Sequence, residues 1–222
     1  MTRAPARWLP AEGVTVRGSV VVLPGRGEHP GLYARLGTRL AADGYRVAAV
    51  SSPGDVAAEL RGGPVPVVLL GSDAGAVQAV TLAAELPVHA VVAAGLPLSA
   101  DAPADHSWAG ELDARTACPV HRALLEADEH LERGALAAEP ADLPAVLPRV
   151  PVLVLHGEAD VIASPKAARA FAEMLPAGRF VLVGGGRHDV LNDVHHRSVA
   201  AEIVQFVEWL RAGTRGPVLV RG

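Results

Sequence analysis

The chain has 222 residues, half of them hydrophobic, and a formal net charge of −4. That length and apolar content suffice for one full core and predict a single domain over residues 1–222. Acids and bases are interspersed rather than blocked, which excludes a basic nucleic-acid footprint, and the lone Cys118 excludes an intrachain disulfide.

In chain order, short β-branched runs alternate with alanine- and leucine-rich helical patterns. Met1–Pro10 lacks the apolar run of a signal peptide. Ser19–Leu23 reads as a strand, 32–42 as a helix closed by Gly44, Arg46–Val50 as a strand and Asp55–Leu60 as a short helix. Val65–Leu70 reads as a strand running into a helix over 75–85, followed by a strand over Val88–Ala94. After a break come a strand at Val150–Leu155, a helix at Pro165–Leu175, a strand at Phe180–Val183 and a helix at Ser198–Arg211. Ser164-Pro165 carries an N-cap followed by proline at the first helical position. Strands apolar throughout and alternating with helices predict an α/β fold with a doubly wound, mostly parallel sheet. Residues 99–149 break the alternation, with helical pattern over 115–133, and predict a small helical lid or a pair of crossover helices. Residues 213–222 read as a tail. No stretch reaches membrane-spanning length without charge, glycine or proline, and cysteine usage points to a reducing compartment. We therefore expect a cytoplasmic protein whose oligomeric state the sequence leaves open.

Ligands of such sheets bind at the carboxyl ends of the strands, and three candidate residues fall there. Asp73 is the centre of Gly71-Ser72-Asp73-Ala74-Gly75, which has the form of a nucleophile elbow, G-x-Nuc-x-G. The glycines leave room around a strained central residue. The structural alternative for Asp73 is a helix cap. Asp160 follows the strand in Leu155-His156-Gly157-Glu158-Ala159-Asp160. His188 follows the next strand, in Gly186-Arg187-His188-Asp189. The order nucleophile, acid, histidine is that of a hydrolytic triad on a sheet of this kind. A carboxylate nucleophile needs no base to ionise it.

These motifs resemble the α/β-hydrolase superfamily, most closely its monoacylglycerol lipase and lysophospholipase-like branch. Pro24-Gly25-Arg26-Gly27-Glu28-His29-Pro30-Gly31-Leu32-Tyr33 is similar to that branch's H-G-x-G-E-H-S-x-x-Y loop. The acid turn and the G-x-x-H-x-x-x-N/D loop of Gly186–Asp193 match as well. The resemblance spans roughly residues 18–98 and 150–212 and implies an α/β-hydrolase fold with a metal-independent, cofactor-free triad. It departs at Pro24, where the family has histidine, and at Asp73, where it has serine. Ser72 is adjacent to the elbow centre but off its tip. Aspartate at the elbow resembles the haloalkane dehalogenase and epoxide hydrolase branches. Yet Ala74 stands where many dehalogenases have tryptophan, and Tyr33 and Tyr45 are the only tyrosines, neither in the 99–149 segment.

The expected catalytic set is therefore Asp73, His188 and Asp160. Gly25, Arg26 and Ala74 are oxyanion-hole candidates. Arg26, Glu28 and Trp108 are substrate-contact candidates, with Arg26 and Glu28 alternatively forming a surface ion pair. The expected partner is a small, largely apolar molecule in a pocket lined by Trp108 and other lid residues. Its reaction is hydrolysis through the Asp73 triad, with ester hydrolysis or binding without turnover as alternatives. His29 and His156 read as structural. His195 and His196 lack the ligand set of a metal site. Cys118 reads as a packed small side chain.

Overall fold

The computed structural model describes residues 4–98, 107–139 and 142–213. Seven strands form one sheet: β1 (Ala6–Trp8), β2 (Gly18–Leu23), β3 (Tyr45–Ala49), β4 (Val67–Ser72), β5 (Ala90–Ala94), β6 (Val152–Gly157) and β7 (Gly178–Val183). Their spatial order is β1-β3-β2-β4-β5-β6-β7. All pairings are parallel except β1 with β3. The doubly wound, mostly parallel sheet expected from sequence is thus present.

Burial explains why the strand runs are continuously apolar. Every residue of β2, β4, β5 and β6 is buried. One cluster on one side of the sheet gathers Val20, Val22, Leu70, Leu155, Ile203 and Phe206. Another gathers Val21, Leu69, Val91, Val154 and Phe171. Alternate residues of each strand feed opposite clusters, as period-two geometry demands.

The flanking helices are α1 (Ala34–Ala42), α2 (Pro53–Leu60), α3 (Ala74–Leu82), α6 (Pro165–Met174) and α7 (His196–Ala212). Ser164 caps α6, its Oγ accepting the Ala167 N–H at 3.3 Å. Residues 30–33 form a 3₁₀ turn before α1 rather than its first turn, since Pro30 and Gly31 fit a helix interior poorly. β1 had no sequence signal, because three residues are too short to display a period.

The 99–149 insertion holds α4 (Trp108–Arg115) and α5 (Pro119–Ala127). The helical run expected over 115–133 is broken at Thr116–Cys118, both extended, with α5 restarting at Pro119. Proline bars the preceding residue from helical geometry and is at home in a first turn. Residues 99–106, 140–141 and 214–222, which include most of the expected tail, lie outside the described residues. No described helix is long and apolar enough to cross a membrane.

Strand order reverses between β2 and β4: β3 lies on one side of β2, whereas β4 lies on the other. The loops leaving β2 and β4 diverge here, at the carboxyl edge where sheets of this kind bind their ligands. Those loops carry Gly25–Glu28 and Asp73.

Candidate active site

Asp73 sits between β4 and α3 at φ 49°, ψ −120°, the only described non-glycine residue with positive φ. Such a backbone costs about 1–3 kcal/mol and persists only where its surroundings hold it. The holding groups are visible. The Asp73 amide donates to Ala94 O at 2.9 Å, and its carbonyl accepts the Ala76 N–H at 2.9 Å. A Cβ on Gly71 would collide with the Gly75 backbone, and one on Gly75 would lie 2.5 Å from Pro24 O. The two glycines let the turn close and let β2 pass beneath it. The Asp73 side chain makes no capping bond to α3, so the helix-cap alternative falls.

His188 stands between two carboxylates. Its Nδ1 donates to Asp160 Oδ2 at 2.8 Å, and its Nε2 lies 3.2 Å from Asp73 Oδ1. The second contact is close but not aligned as a hydrogen bond. All three side chains are nearly inaccessible. Burial pushes the imidazolium down, but the charges of Asp160 and then Asp73 outweigh it and raise His188 to about 10. Burial alone would raise both carboxyls; the cationic neighbours instead hold Asp73 and Asp160 well below the usual carboxylate range. His188 is therefore an imidazolium near neutral pH.

Asp160 is fixed from several sides. Its Oδ1 accepts the Ile162 and Ala163 amides at 2.8 and 3.0 Å. His156 Nε2 lies 3.1 Å from Oδ2 and 3.1 Å from Ala163 O. His156 is fully buried and supports the acid turn, in line with a structural role.

Arg26 holds the other side of Asp73. Its guanidinium forks onto the carboxylate, Nε to Oδ2 at 2.8 Å and Nη2 to Oδ1 at 2.8 Å. Its backbone N–H also donates to Oδ2 at 2.8 Å. The amide expected in an oxyanion hole is thus taken by the elbow's own carboxylate. Nη1 reaches into the insertion, donating to Leu136 O at 3.0 Å and to Ala138 O.

Of the other oxyanion-hole candidates, Gly25 is corrected. Its N–H donates to Glu28 Oε2 at 3.0 Å and faces Tyr33 Oη at 3.2 Å, so it is spent on holding its own loop. Ala74 opens α3, where a first-turn amide has no acceptor within its own helix.

The pairing of Arg26 with Glu28 is also corrected. Glu28 turns inward, where its Oε1 accepts Arg115 Nη1 at 3.1 Å and its Oε2 accepts the Tyr33 hydroxyl. Buried in this network, Glu28 is remote from the role of a substrate contact. Trp108 is half-buried against the core cluster, with the Arg133 guanidinium 4.8 Å over its ring. A cavity of about 610 Å³ lies between α1 and α7, lined by Arg35, Leu36, Arg39, Leu191 and His196.

Arg115 had no sequence motif to mark it. It is 1 % exposed. Nη2 donates to Glu111 Oε1 at 2.7 Å and to Arg26 O at 2.9 Å. The backbone carbonyls of Ala114 and Arg115 accept the His188 and Asp189 amides at 3.2 and 2.9 Å. Asp193 Oδ1 accepts the Thr116 hydroxyl and the Ala117 amide at 2.9 and 2.8 Å. His121 Nε2 lies 2.9 Å from Asp189 Oδ2. The end of α4 therefore joins the loop after β2 to the histidine loop, and this half of the insertion is built into the site rather than laid over it. Its one sequence hint was the Glu111–Arg115 spacing, which puts both on one helix face.

The remaining candidates are structural. His29 caps the 3₁₀ turn through the Gly31 amide and pairs with Asp128 at 2.8 Å. Cys118 is buried, with Arg35 Nη1 3.6 Å from its sulfur. His195 precedes α7 and His196 begins it.

Comparison with known proteins agrees with this architecture. Residues 100–195 match the family model of serine aminopeptidase, S33. That match takes in the insertion, Asp160 and His188, and stops short of the elbow. No curated protein sequence matches the chain. A soluble variant of monoglyceride lipase from Saccharomyces cerevisiae superposes with a TM-score of 0.71 at 17% identity, over 96% of this chain and 92% of the other. The monoacylglycerol lipase of Paleococcus ferrophilus gives 0.71 at 21% identity, over 95% and 99%. A type II thioesterase of the yersiniabactin pathway gives 0.65 at 19% identity, over 93% and 98%. Fold and family match together define the class: the chain has the α/β-hydrolase fold, and its residues 100–195 are similar to a hydrolase family within that fold.

Proposed function

We propose that the protein hydrolyses a small, largely apolar substrate, with Asp73 as nucleophile, His188 as the base that activates water and Asp160 as the group that orients His188. The observation that carries this reading is His188 between the two carboxylates, 3.2 Å from Asp73 and 2.8 Å from Asp160. Asp73 is already charged, so attack on carbon needs no prior proton transfer. Attack joins Asp73 Oδ1 to the substrate carbon and yields an alkyl ester. Alkylation removes one of the two negative charges that raise His188, which lowers its pKa toward that of a general base. Neutral His188 then takes a proton from water, and hydroxide adds to the Asp73 carboxyl carbon. The ester oxygen leaves with the alcohol product, taking the proton back, and the new Asp73 carboxyl passes its remaining proton to His188, which restores the carboxylate and the imidazolium. The Arg26 N–H, which already meets Oδ2, and the Ala74 N–H suit stabilisation of the tetrahedral oxyanion.

The lipases among the similar structures suggest an ester substrate. An acyl substrate would give a mixed anhydride with Asp73, a less favourable intermediate, so attack on alkyl carbon is the leading reading. A second reading is a ligand-binding protein without turnover. The Arg26 fork favours it, since Asp73 is enclosed and its own oxygen occupies the oxyanion amide.

Isotope labelling tests the covalent step. Under multiple turnovers on a panel of alkyl halides, epoxides and short esters in H₂¹⁸O, the label enters Asp73 of the wild type, because water attacks the enzyme ester. His188→Ala accumulates an adduct on the elbow peptide, seen by intact-protein mass spectrometry. Turnover without label in Asp73 and without an adduct in the variant would overturn the nucleophile. Binding without turnover in the wild type would select the second reading.

A further inference from the structure

The cavity of about 610 Å³ between α1 and α7 gathers cations without matching acids. The two helices share one core cluster, through Leu36 and Leu40 on α1 and Val199, Ala200 and Ile203 on α7. Arg35, Arg39, Arg197 and His196 stand around the cavity, and no carboxylate lines it among the described residues. Arg39 has a surface pair with Asp43 at 3.0 Å. Arg35 has no carboxylate partner: its Nη2 donates to Asn192 O, and its Nη1 lies 3.6 Å from Cys118 Sγ. The Arg197 guanidinium has no hydrogen bond or ion pair with the described residues. His196 donates through Nδ1 to Asp193 O at 3.0 Å. Burial and then the charges of Arg35, Arg197 and His121 lower its pKa, against the pull of that carbonyl. Both helices begin at the cavity, and neither first turn carries an acid. A cation in a first turn opposes the helix dipole, and like charges brought together oppose folding. Stability therefore does not account for these arginines, and local rules are broken where a site requires it. None of Asp73, His188, Asp160 and Arg26 lines the cavity.

We infer that this cleft binds a small organic phosphate monoester, its phosphate on Arg35 and Arg197 and its apolar body within the cleft. The volume is that of a small-molecule pocket. Charge selects the head group. Two guanidiniums without a carboxylate call for about two negative charges, which a phosphate monoester supplies near neutral pH. A monocarboxylate would balance only one. Guanidiniums also meet phosphate oxygens through paired N–H groups. The lining selects the rest of the ligand. Leu36, Leu191 and Ala200 floor the cavity, and the aliphatic stems of Arg35 and Arg39 add apolar wall. An apolar group on the phosphate uses that surface, whereas bare phosphate does not.

Isothermal calorimetry on the full chain, at near-physiological salt and neutral pH, tests the site with phenyl phosphate, inorganic phosphate and benzoate titrated separately. Phenyl phosphate is expected to bind about ten-fold or more tightly than inorganic phosphate, which lacks the ring, and than benzoate, which has one charge. Arg197→Gln, at an exposed position, and Arg35→Gln should each weaken it about ten-fold, the loss of one charge-assisted pair. Arg35→Gln also releases Asn192 O, so Arg197→Gln carries the test should the other variant fail to fold. Arg61→Gln, at an exposed position outside the cavity lining, should leave binding unchanged. Saturating phenyl phosphate should also raise the His196 midpoint, followed by NMR, because it sets negative charge beside a ring that two arginines depress. No binding of phenyl phosphate, unchanged binding in Arg197→Gln, an equal loss in Arg61→Gln or an unmoved His196 midpoint overturns the site. Inorganic phosphate or benzoate binding as tightly as phenyl phosphate overturns the phosphate ester as its ligand.

Discussion

Arg115 and Glu28 form an ion pair, Nη1 to Oε1 at 3.1 Å, with side chains 1 % and 4 % exposed. The pair joins α4 of the insertion to the loop after β2, and the same arginine holds the Arg26 carbonyl. The backbone between Gly25 and Glu28 is therefore set from outside its own loop. Burial of Glu28 and the nearby Asp189 charge raise its carboxyl, with Arg115 opposing them.

Removing one partner leaves the other charged and buried. Arg115→Met is expected to cost about 3–5 kcal/mol in urea unfolding. Combining it with Glu28→Gln should recover part of that loss, because the second change removes the stranded charge. A cost below about 1 kcal/mol for Arg115→Met would show that the network does not hold the loop.

The pH dependence follows from His188, whose pKa rises from 6.5 to about 10 on folding. A raised value means that the folded state holds the proton more tightly. Its stabilisation is complete below 6.5 and is lost as pH climbs through 10. Asp73 and Asp160 act in the opposite window: their depressed values give stability present above 3.8 and lost as pH falls through their folded values. Wild type should therefore lose stability between about pH 6.5 and 10 more steeply than His188→Asn. In Asp73→Asn the imidazole midpoint, followed by NMR, should fall by about 1–3 pH units, since one of two nearby opposite charges is gone. An unchanged midpoint would place control of His188 with Asp160 alone.

The insertion also touches the loop after β2 through backbone. The Glu132 amide donates to Gly27 O at 2.9 Å. Gly27 has φ +73°, and a Cβ there would lie 2.7 Å from Ala135 Cβ and collide with Glu132 O. Gly27→Ala should push residues 132–138 away and weaken the Arg26 bonds to Leu136 and Ala138. We expect faster hydrogen exchange confined to 128–138, with the unfolding midpoint reduced by a smaller margin than in Arg115→Met. Exchange that rises equally across β2 and β4 would mean instead that the substitution unfolds the sheet.

Sequence alone determined the parallel part of the sheet and marked Asp73, Asp160 and His188 at its strand ends, for a local reason. A strand buried on both faces must be apolar along its length, a tight strand-to-helix turn needs Gly71 and Gly75, and strand ends mark where side chains meet. Those constraints are written in neighbouring residues. The tertiary structure alone decided the partners of the charged groups. Arg26 and Glu28 are two residues apart and looked like one surface pair, yet Arg26 turns to Asp73 and Glu28 to Arg115. Arg115 is 87 positions from Glu28, and no local pattern reports that distance. A buried charge takes whichever opposite charge the fold brings beside it, because leaving it unpaired costs more than any local preference. The same rule distinguishes Gly25, whose amide is consumed by Glu28, from Arg26, whose amide meets Asp73. Only the packed chain fixes which amide faces the elbow.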